Sequence, residues 1–393
     1  MDQAADQTNL APALEEEADR AAGRGDAAAA RKLLEQATRA DPERSELWLK
    51  LAAMCRALGD LPAALAAVSG ALRIEPLGFM PLLLKASLLE RLGKEEEAGE
   101  IYGYALAQAP DDIPPHLASM AAHASERHEA HVAASAARLA SAATAVEEGL
   151  SEAERRRVAR FRTNVLRKTR PYHSEPTHFH YPGLREREFH DRDAFAWLDA
   201  LEAAAAAITE DFERVTAAEH AQLVPYIQYT DDQPLRQWAA LNRDRAWSAI
   251  HLVQNGVTID ANARHCPATM ALLDGLDQPD IPRRGPNAMF SLLAPGTHIP
   301  PHTGVANTRL VCHLPLIVPP GCWFRVGDER REWEVGKAWV FDDTIEHEAA
   351  NPSDTLRVLL IVDTWHPDLS PGERAAVRAV MAATDAADPM EGL

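Results

Sequence analysis

The histidines of two short segments have the residue types and surroundings that metal chemistry requires. His298 and His302 lie in APGTHIPPHTG, residues 294–304, and His347 lies in FDDTIEHEAAN, residues 341–351. Each segment follows a run of strand-like residues. Histidines in these places are either turn residues without a chemical role or ligands of a divalent first-row metal, for which neutral imidazole is a suitable donor.

Two apolar runs carry charged residues on one face. In RLVCHLPLIV, Arg309 and His313 share a face with Val311, because alternate residues of a strand point the same way. Arg357 has the same kind of position in TLRVLLIVDTW. Charged groups that point into a core are costly unless they are paired. An interior that holds them therefore indicates an anionic ligand, most simply a carboxylate, and two neutral imidazoles beside it would suit a metal.

Short strands must position these residues. From residue 286 onward the runs NAMFSLLA, RLVCHLPLIV, CWFRVG, REWEV, KAWVFDD and TLRVLLIVDTW follow one another, separated by turn signals such as PGT, PPG and GDER. Several short strands without intervening helices are typical of an antiparallel sandwich or barrel. We predict a double-stranded β-helix of the jelly-roll or cupin kind, preceded by an amphipathic helix over 191–215.

The first third of the chain has a different pattern, a helical repeat with a period of 34 residues. Gly25, Gly59 and Gly93 keep this step, as do Pro42, Pro76 and Pro110. Three columns of alanine keep it too: Ala18, Ala52, Ala86; Ala30, Ala64, Ala98; Ala37, Ala71, Ala105. The period and the helix–turn–helix pattern resemble the tetratricopeptide repeat. Such arrays offer a concave surface to a peptide or protein partner, or they serve a purely structural role.

These patterns divide the chain into an α-helical tetratricopeptide-like solenoid over 1–126, a helical linker over 127–170 and a strand-rich β domain over 171–393. The linker histidines, His128 and His131, are expected to be solvated. A formal net charge of −19 argues against binding to nucleic acid or anionic membranes. No apolar run is long enough to span a bilayer, and four scattered cysteines favour a reducing, cytoplasmic location.

The strand-rich region resembles a known family. The runs SLLAPGTHIPPHTGVANTRLVCHLPLIVPPGC and WEVGKAWVFDDTIEHEAANPSDTLRVLLIVDTWHPDLS are similar to the aspartyl/asparaginyl β-hydroxylases, which are iron(II)- and 2-oxoglutarate-dependent dioxygenases. The resemblance is close over about 285–372 and looser from about 170. A tetratricopeptide-like region ahead of the oxygenase domain is also seen in that family.

The resemblance implies that His302 and His347 are the catalytic iron ligands. Most non-haem iron oxygenases add a carboxylate to two histidines. Here Gly304 stands at the position of that carboxylate, as in the family, and water is expected to fill the place.

The resemblance also implies a binding site for 2-oxoglutarate. Arg357 would pair with the distal carboxylate, assisted by Ser291, and His313 would contact the carboxylate nearer the metal. One family position departs from the pattern, because the second arginine of the run R-L-R-x-H is Val311 here. In the family the missing arginine lines the pocket for cosubstrate and substrate carboxylates. Either Arg309 carries this role alone, or the substrate is something other than an Asp or Asn side chain.

Four further residues are expected to support the site or the fold and not to bind the metal. His298 and His366 match family turns and are expected to be structural. Asp342 and Asp343 precede His347, and they either orient it or its water by hydrogen bonding or belong to a solvated turn.

The function that these expectations favour is oxidative hydroxylation of an unactivated carbon. The β-carbon of an Asp or Asn type residue in a peptide is the first choice of substrate, and a free amino acid or a lipid acyl chain is the alternative. A repeat-based adaptor with an inactive oxygenase domain is the competing hypothesis. Val311 favours the adaptor, whereas the joint presence of His302, His347, Arg357 and the other site residues favours the enzyme.

Overall fold

The computed structural model describes residues 10–219, 222–228, 230 and 238–387. The chain divides between Lys168 and Thr169 into two compact units, the first helical and the second built on two antiparallel sheets. Residues 1–9 of the predicted solenoid lie outside the described residues. Among those that are described, no helix is long and apolar enough to cross a membrane.

The first unit is a series of helices, each packed on the next along the chain. These helices are α1 (Ala11–Gly23), α2 (Ala27–Ala40), α3 (Ser45–Ala57), α4 (Leu61–Ile74), α5 (Phe79–Arg91), α6 (Glu95–Leu106), α7 (Pro115–Glu147) and α8 (Glu152–Val165).

The sequence repeat explains how the helices of this unit begin, end and pack. Gly25, Gly59 and Gly93 take φ values of 80°, 74° and 76° after α1, α3 and α5, a conformation that glycine adopts at little cost. Asp26 and Asp60 then cap α2 and α4 by accepting hydrogen bonds from backbone N–H groups. All nine alanines of the three predicted columns are buried between helices. The predicted helical repeat is therefore confirmed.

Helix α7 differs from its prediction. A single helix of 33 residues covers most of the expected cap and about half of the expected linker, and it packs on α6. His128 and His131 are half-buried rather than solvated, because their rings lie against Gly103 and Gly99 of α6. His128 Nδ1 also lies 3.0 Å from the carbonyl oxygen of Gly99. The expectation of solvated histidines was wrong because it considered the helix without its neighbour.

The second unit contains the strand-rich region. Its strands are β1 (Val224–Pro225), β2 (Trp247–Gln254), β3 (Val257–Thr258), β4 (Ala288–Leu293), β5 (Thr297–His302), β6 (Arg309–Ile317), β7 (Trp323–Val326), β8 (Glu329–Glu332), β9 (Trp339–Phe341), β10 (His347–Asn351) and β11 (Arg357–Trp365). Its helices are α9 (Leu198–Ala203), α10 (Ala205–Thr216), α11 (Asp260–Ala263), α12 (Pro267–Leu273) and α13 (Pro371–Ala387).

Two antiparallel sheets form the core of this unit. The larger runs β1-β2-β4-β11-β6-β9, with β3 paired to β2, and the smaller runs β5-β10-β7-β8. Residues of both sheets share one apolar cluster that includes Leu293, Val311, Phe324 and Ala349. A second cluster joins the opposite face of the larger sheet to α9, α10 and α12. This arrangement confirms the predicted antiparallel β domain.

The expected helix over 191–215 is interrupted. A short 3-10 turn at Arg192–Ala194 precedes α9, and α10 begins directly after Ala204. Its predicted apolar residues nevertheless pack against the larger sheet, among them Phe195, Leu201 and Phe212.

Candidate metal and anion site

The two sheets bring His302 and His347 together. His302 ends β5, His347 begins β10, and the two residues are directly paired in the antiparallel register. Their ring centroids lie 4.0 Å apart. This pairing joins the two segments that the sequence singled out, although 44 residues separate them along the chain.

Backbone hydrogen bonds orient both imidazoles. His302 Nδ1 lies 2.8 Å from the carbonyl oxygen of Pro300, and His347 Nδ1 lies 3.1 Å from that of Ile345. Since a carbonyl can only accept, each Nδ1 donates and each Nε2 keeps its lone pair. Burial lowers the pKa of His302 to about 3 and that of His347 to about 4. Both rings are therefore neutral at physiological pH, the form that ligates a metal.

Asp343 occupies the space beside Gly304. A Cβ atom at residue 304 would overlap the Asp343 carboxylate, and the Gly304 N–H donates to the Asp343 carbonyl oxygen at 2.6 Å. Asp343 Oδ1 is buried without a protein hydrogen-bond partner in the part of the chain that the structure describes. Asp342 is buried as well, so neither residue belongs to a solvated turn.

No third protein ligand completes the histidine pair among the residues described, where no group of three or more His, Cys, Asp or Glu side chains is arranged to hold a metal. The two imidazoles are therefore the protein donors that the described structure offers.

Arg357 lies on β11 with its guanidinium buried and no carboxylate paired with it among the described residues. Its Nε has no hydrogen-bond partner within the described part of the chain, and Nη1 lies 3.4 Å from Ser291 Oγ. Trp333 lies under the guanidinium at 5.0 Å. Burial lowers the pKa of Arg357 to about 9. A buried cation without a counterion is costly, so this group is built to receive an anion.

Ser291 links the arginine to the histidine pair. Its Oγ accepts a hydrogen bond from Trp247 Nε1 at 3.3 Å. The Trp247 ring in turn lies 6.2 Å from the ring of His302. The predicted anion site and the predicted metal site are therefore joined by adjacent side chains.

His313 shares one face of β6 with Arg309 and Val311, as predicted. Its ring packs against Phe324, Trp333 and Phe341, and its Nδ1 has no protein partner in the described part of the chain. Burial lowers its pKa well below the ordinary value, and the Arg357 charge adds to this effect. It is a neutral imidazole between the arginine and the His347 ring.

Arg309 has a different environment from Arg357. Its guanidinium is buried between two carboxylates, with Nη2 at 3.1 Å from Asp343 Oδ2 and Nη1 at 3.6 Å from Asp363 Oδ1. These partners raise its pKa against the opposing effect of burial. The sequence predicts that Arg309 faces a ligand carboxylate and does not indicate these two protein partners.

Three aromatic residues beside His302, namely Tyr226, Trp238 and Trp247, were not found from the sequence. The Trp238 ring centroid lies 4.9 Å from that of His302, and Tyr226 stacks on Trp247 at 3.8 Å. A cavity of about 170 Å³ opens on another side of His302, lined by Pro301, Thr303, residues 170–173, Glu175 and Glu346. We call Tyr226, Trp238 and Trp247 the aromatic wall.

The remaining histidines of the two segments make surface or structural contacts. His298 Nε2 lies 2.8 Å from Glu348 Oε2, and its side chain is half exposed. His366 is buried, with Nε2 at 3.2 Å from the carbonyl oxygen of Arg185.

Two protein-family models match parts of this chain. Residues 202–367 match the model of the family described as Aspartyl/Asparaginyl beta-hydroxylase. This part of the chain is similar to that family. All six predicted site residues of the β-hydroxylase domain lie inside the matched range. Residues 21–79 match a tetratricopeptide repeat model.

Curated relatives share part of their length with this chain. The mouse aspartyl/asparaginyl beta-hydroxylase is 41% identical over 135 residues, which are 34% of this chain and 18% of that protein. Aspartate beta-hydroxylase domain-containing protein 2 of Xenopus tropicalis is 33% identical over 217 residues, 54% of this chain and 56% of that protein. The chain thus spans about half, or less, of the length of these relatives.

Among the solved structures similar to this chain is the Yersinia enterocolitica type III secretion chaperone SycD in complex with a peptide of the translocator YopD. It is 20% identical, covers 31% of this chain and 92% of that chain, and has a TM-score of 0.29.

Proposed function

We propose that the β-hydroxylase domain is an iron(II)- and 2-oxoglutarate-dependent dioxygenase that hydroxylates an unactivated carbon. The observation that carries this proposal is the buried, uncompensated guanidinium of Arg357, joined through Ser291 and Trp247 to a pair of neutral histidines. A hydrolytic metal site would leave this cation without a counterion. A dicarboxylate ligand that also binds the metal would supply one.

The residues present fit iron(II) and 2-oxoglutarate. His302 and His347 offer Nε2 lone pairs to iron(II), because both Nδ1 atoms are bonded to carbonyl oxygens. Arg357 and Ser291 would hold the distal carboxylate of 2-oxoglutarate, and His313 would contact the carboxylate nearer the metal. When bound, iron and 2-oxoglutarate supply the oxidising power by which dioxygen is reduced and a C–H bond is hydroxylated.

Neighbouring side chains would keep the site's histidine rings in position and exclude water from them. Phe324 and Phe341 pack against both His313 and His347, which keeps the two rings in place and shields them from solvent. Asp343 directs one unpartnered carboxylate oxygen beside Gly304 and is suited to accept a hydrogen bond from a metal-bound water.

The helical repeats suit a role in substrate delivery. A tetratricopeptide array presents an extended surface for polypeptides, so we propose that a peptide or protein partner binds the first unit. The mouse and Xenopus relatives are named for aspartyl or aspartate β-hydroxylation. All four cysteines are free and buried, which fits our further proposal of a reducing, cytoplasmic location.

The experiment that tests the enzymatic proposal is anaerobic titration of the full chain with iron(II) and 2-oxoglutarate, followed by measurement of succinate after oxygen is admitted. We expect one molar equivalent of each to bind, with slow succinate formation in the absence of substrate. The His347→Ala variant should lose metal-dependent binding.

A matched control is His298→Ala, which removes a half-exposed imidazole from the same segment as His302 and should bind both groups normally. Absence of 2-oxoglutarate binding to wild type in the presence of iron would refute the proposal. The repeat-based adaptor would then become the better description.

A further inference from the structure

We infer that the helical repeats bind an acidic segment of a partner polypeptide, and that Arg56 and Arg91 form the contact for its Asp or Glu side chains. This inference rests on the proposal that a polypeptide binds the first unit, and it is independent of the proposed enzymatic activity. It adds the chemistry of the partner and the residues that would recognise it.

An open cavity of about 350 Å³ lies between the first helices of two consecutive repeats. Ala53, Arg56 and Ala57 of α3 line it together with Arg91 of α5. We call these four residues the arginine pocket. Its volume is within the range of about 300–1,000 Å³ that is typical of ligand sites. All four residues are exposed, so a partner can reach them.

The 34-residue repeat explains why the two arginines share this cavity. Ala57 and Arg91 are 34 residues apart, so they hold the same position in consecutive repeats, and Arg56 directly precedes Ala57. Stacked repeats place equivalent positions side by side along one extended surface. Alanine at residues 53 and 57 adds no atoms beyond Cβ, which leaves space for a ligand beside the arginine side chains.

The positive charge of the arginine pocket is not neutralised by the described part of the chain. Arg56 and Arg91 form no ion pair with a described residue, whereas Arg44 and Lys50 of the same unit both pair with Glu15. Like charges that line one cavity repel each other, and a bound anion removes this repulsion. A guanidinium can hold a carboxylate through two parallel hydrogen bonds. The pocket therefore fits two neighbouring carboxylates.

Helix geometry accounts for each arginine singly but not for the pair. Arg56 and Arg91 lie in the last turns of their helices, where the helix dipole favours a cation. Arg39 and Arg73 hold the same place at the ends of α2 and α4, and neither lines the pocket. The shared cavity therefore distinguishes the first pair, and the second pair provides a matched control.

An internal acidic segment of another protein fits the arginine pocket better than a chain terminus or a second copy of this chain. Neighbouring Asp or Glu side chains supply two carboxylates for the two guanidiniums, whereas a C-terminus supplies one. The formal net charge of this chain is −19. Two copies therefore repel each other, which disfavours a second copy as the occupant.

The test is fluorescence anisotropy with the full chain and two labelled peptides of equal length, in which serine alternates with glutamate or with glutamine. Both ends of each peptide are blocked. We expect the glutamate peptide to bind about 10-fold more tightly than the glutamine peptide, because only carboxylates pair with the arginines. The net charge of the chain opposes this preference, so it would come from a local site. The affinity should fall as salt is added, since exposed charges are screened.

Matched double variants locate the binding. Arg56→Gln with Arg91→Gln should lower the affinity for the glutamate peptide about 10-fold. Arg39→Gln with Arg73→Gln removes the same charge from the same helix position and should leave the affinity within about 2-fold of wild type. Thermal unfolding checks that both variants fold. Equal losses in the two double variants would overturn the assignment to the arginine pocket.

The other outcomes are equally decisive. Equal binding of the glutamine peptide would overturn the inference while the proposal of a polypeptide partner stands, and failure of both peptides to bind would overturn the inference too. Sedimentation velocity tests the second copy: a wild-type dimer that Arg56→Gln with Arg91→Gln abolishes would overturn the assignment to another protein. Succinate formation reports on the enzymatic proposal separately and does not depend on any of these results.

Discussion

At the scale of single residues, partners decide what a buried charge does. Arg309 and Arg357 lie on neighbouring strands of one sheet, and both are buried. Arg309 has Asp343 and Asp363 beside it, so it stabilises the fold, whereas Arg357 has no carboxylate partner among the described residues. The two positions should therefore respond in opposite ways to the same substitution.

Replacing each arginine with methionine separates these roles. Arg309→Met should lower the free energy of unfolding by about 3–5 kcal/mol, because two buried carboxylates lose their counterion. Arg357→Met should leave the metal-free protein as stable or more stable by about 1–3 kcal/mol, since an uncompensated charge is removed. Urea unfolding without iron measures both changes, and 2-oxoglutarate titration should show that Arg357→Met loses about 100-fold in affinity. A large loss of stability in Arg357→Met would contradict the assignment.

Gly304 gives a second prediction at this scale. Gly304→Asp should not create a third metal ligand, because its side chain would overlap the carboxylate of Asp343. Crowding and like charge should instead destabilise the protein by about 1–3 kcal/mol. The double variant Gly304→Asp with Asp343→Gly should remove the overlap and bind iron(II) more tightly than wild type. Stability and iron affinity that are unchanged in the single variant would contradict this account.

At the scale of elements, close packing of helices depends on small residues at defined places. Gly99 and Gly103 on α6 leave room for the rings of His131 and His128 on α7. The glycines and histidines are complementary in shape, so imidazoles pack α7 on the last repeat together with the apolar side chains of Met120 and Ala124.

Gly103→Ala tests this packing. The new methyl group would overlap the His128 ring, so we expect the first unit to lose about 1–3 kcal/mol of stability. Gly23→Ala is the matched control, because it adds a methyl group to a helical glycine with nothing within 4 Å and should be neutral or slightly stabilising. Thermal unfolding measures both. If the double variant Gly103→Ala with His128→Ala is no more stable than Gly103→Ala, the imidazole is not the cause.

At the scale of the whole molecule, buried neutral imidazoles make the stability depend on pH. Burial lowers the pKa of His190 and His302 to about 3 and that of His347 to about 4. The unfolded chain takes up protons below about pH 6.5 that the folded chain does not. The free energy of unfolding therefore falls as the pH decreases from 6.5 toward 4. Asp342 opposes this trend, because burial raises its pKa to about 7 and protonation then favours the folded state.

His190 allows this effect to be tested outside the metal site. His190→Phe should reduce the pH dependence of the unfolding free energy between pH 6 and 4.5 by about 1.4 kcal/mol per pH unit, the contribution of one proton. The exposed His180→Phe is the control and should leave the slope unchanged. Urea unfolding of metal-free protein across this range provides the measurement. Equal slopes for His190→Phe and wild type would show that this ring is not buried neutral.

Much of the architecture and of the site was predictable from local pattern. Alternation along β6 correctly placed Arg309, Val311 and His313 on one face and Leu310, Cys312 and Leu314 on the other, because the period of a strand is fixed. The glycine and alanine columns predicted the helical repeat for a similar reason, since each repeat needs the same small residues at its contacts.

Features that depend on pairing between distant segments were not predictable. Asp343 and Asp363 reach Arg309 from the segment before β10 and from β11, and no spacing within β6 indicates them. Asp363 is a partial exception, because alternation on β11 places it on the same face as Arg357. The aromatic wall comes from residues 226 to 247, where neither period nor motif marks a site.

The segment ahead of the β-hydroxylase match has a consequence for anyone who divides this protein. Glu175 donates its N–H to Thr344 at 2.8 Å, Thr177 to Gly304 at 2.9 Å and Phe179 to Val305 at 3.0 Å. These bonds brace the loops next to both candidate ligands, yet they lie outside the range 202–367 that similarity marks as the domain. A chain cut at residue 202 would keep every candidate ligand and lose the brace that holds two of its loops. The functional boundary of this domain therefore lies nearer residue 170 than residue 202.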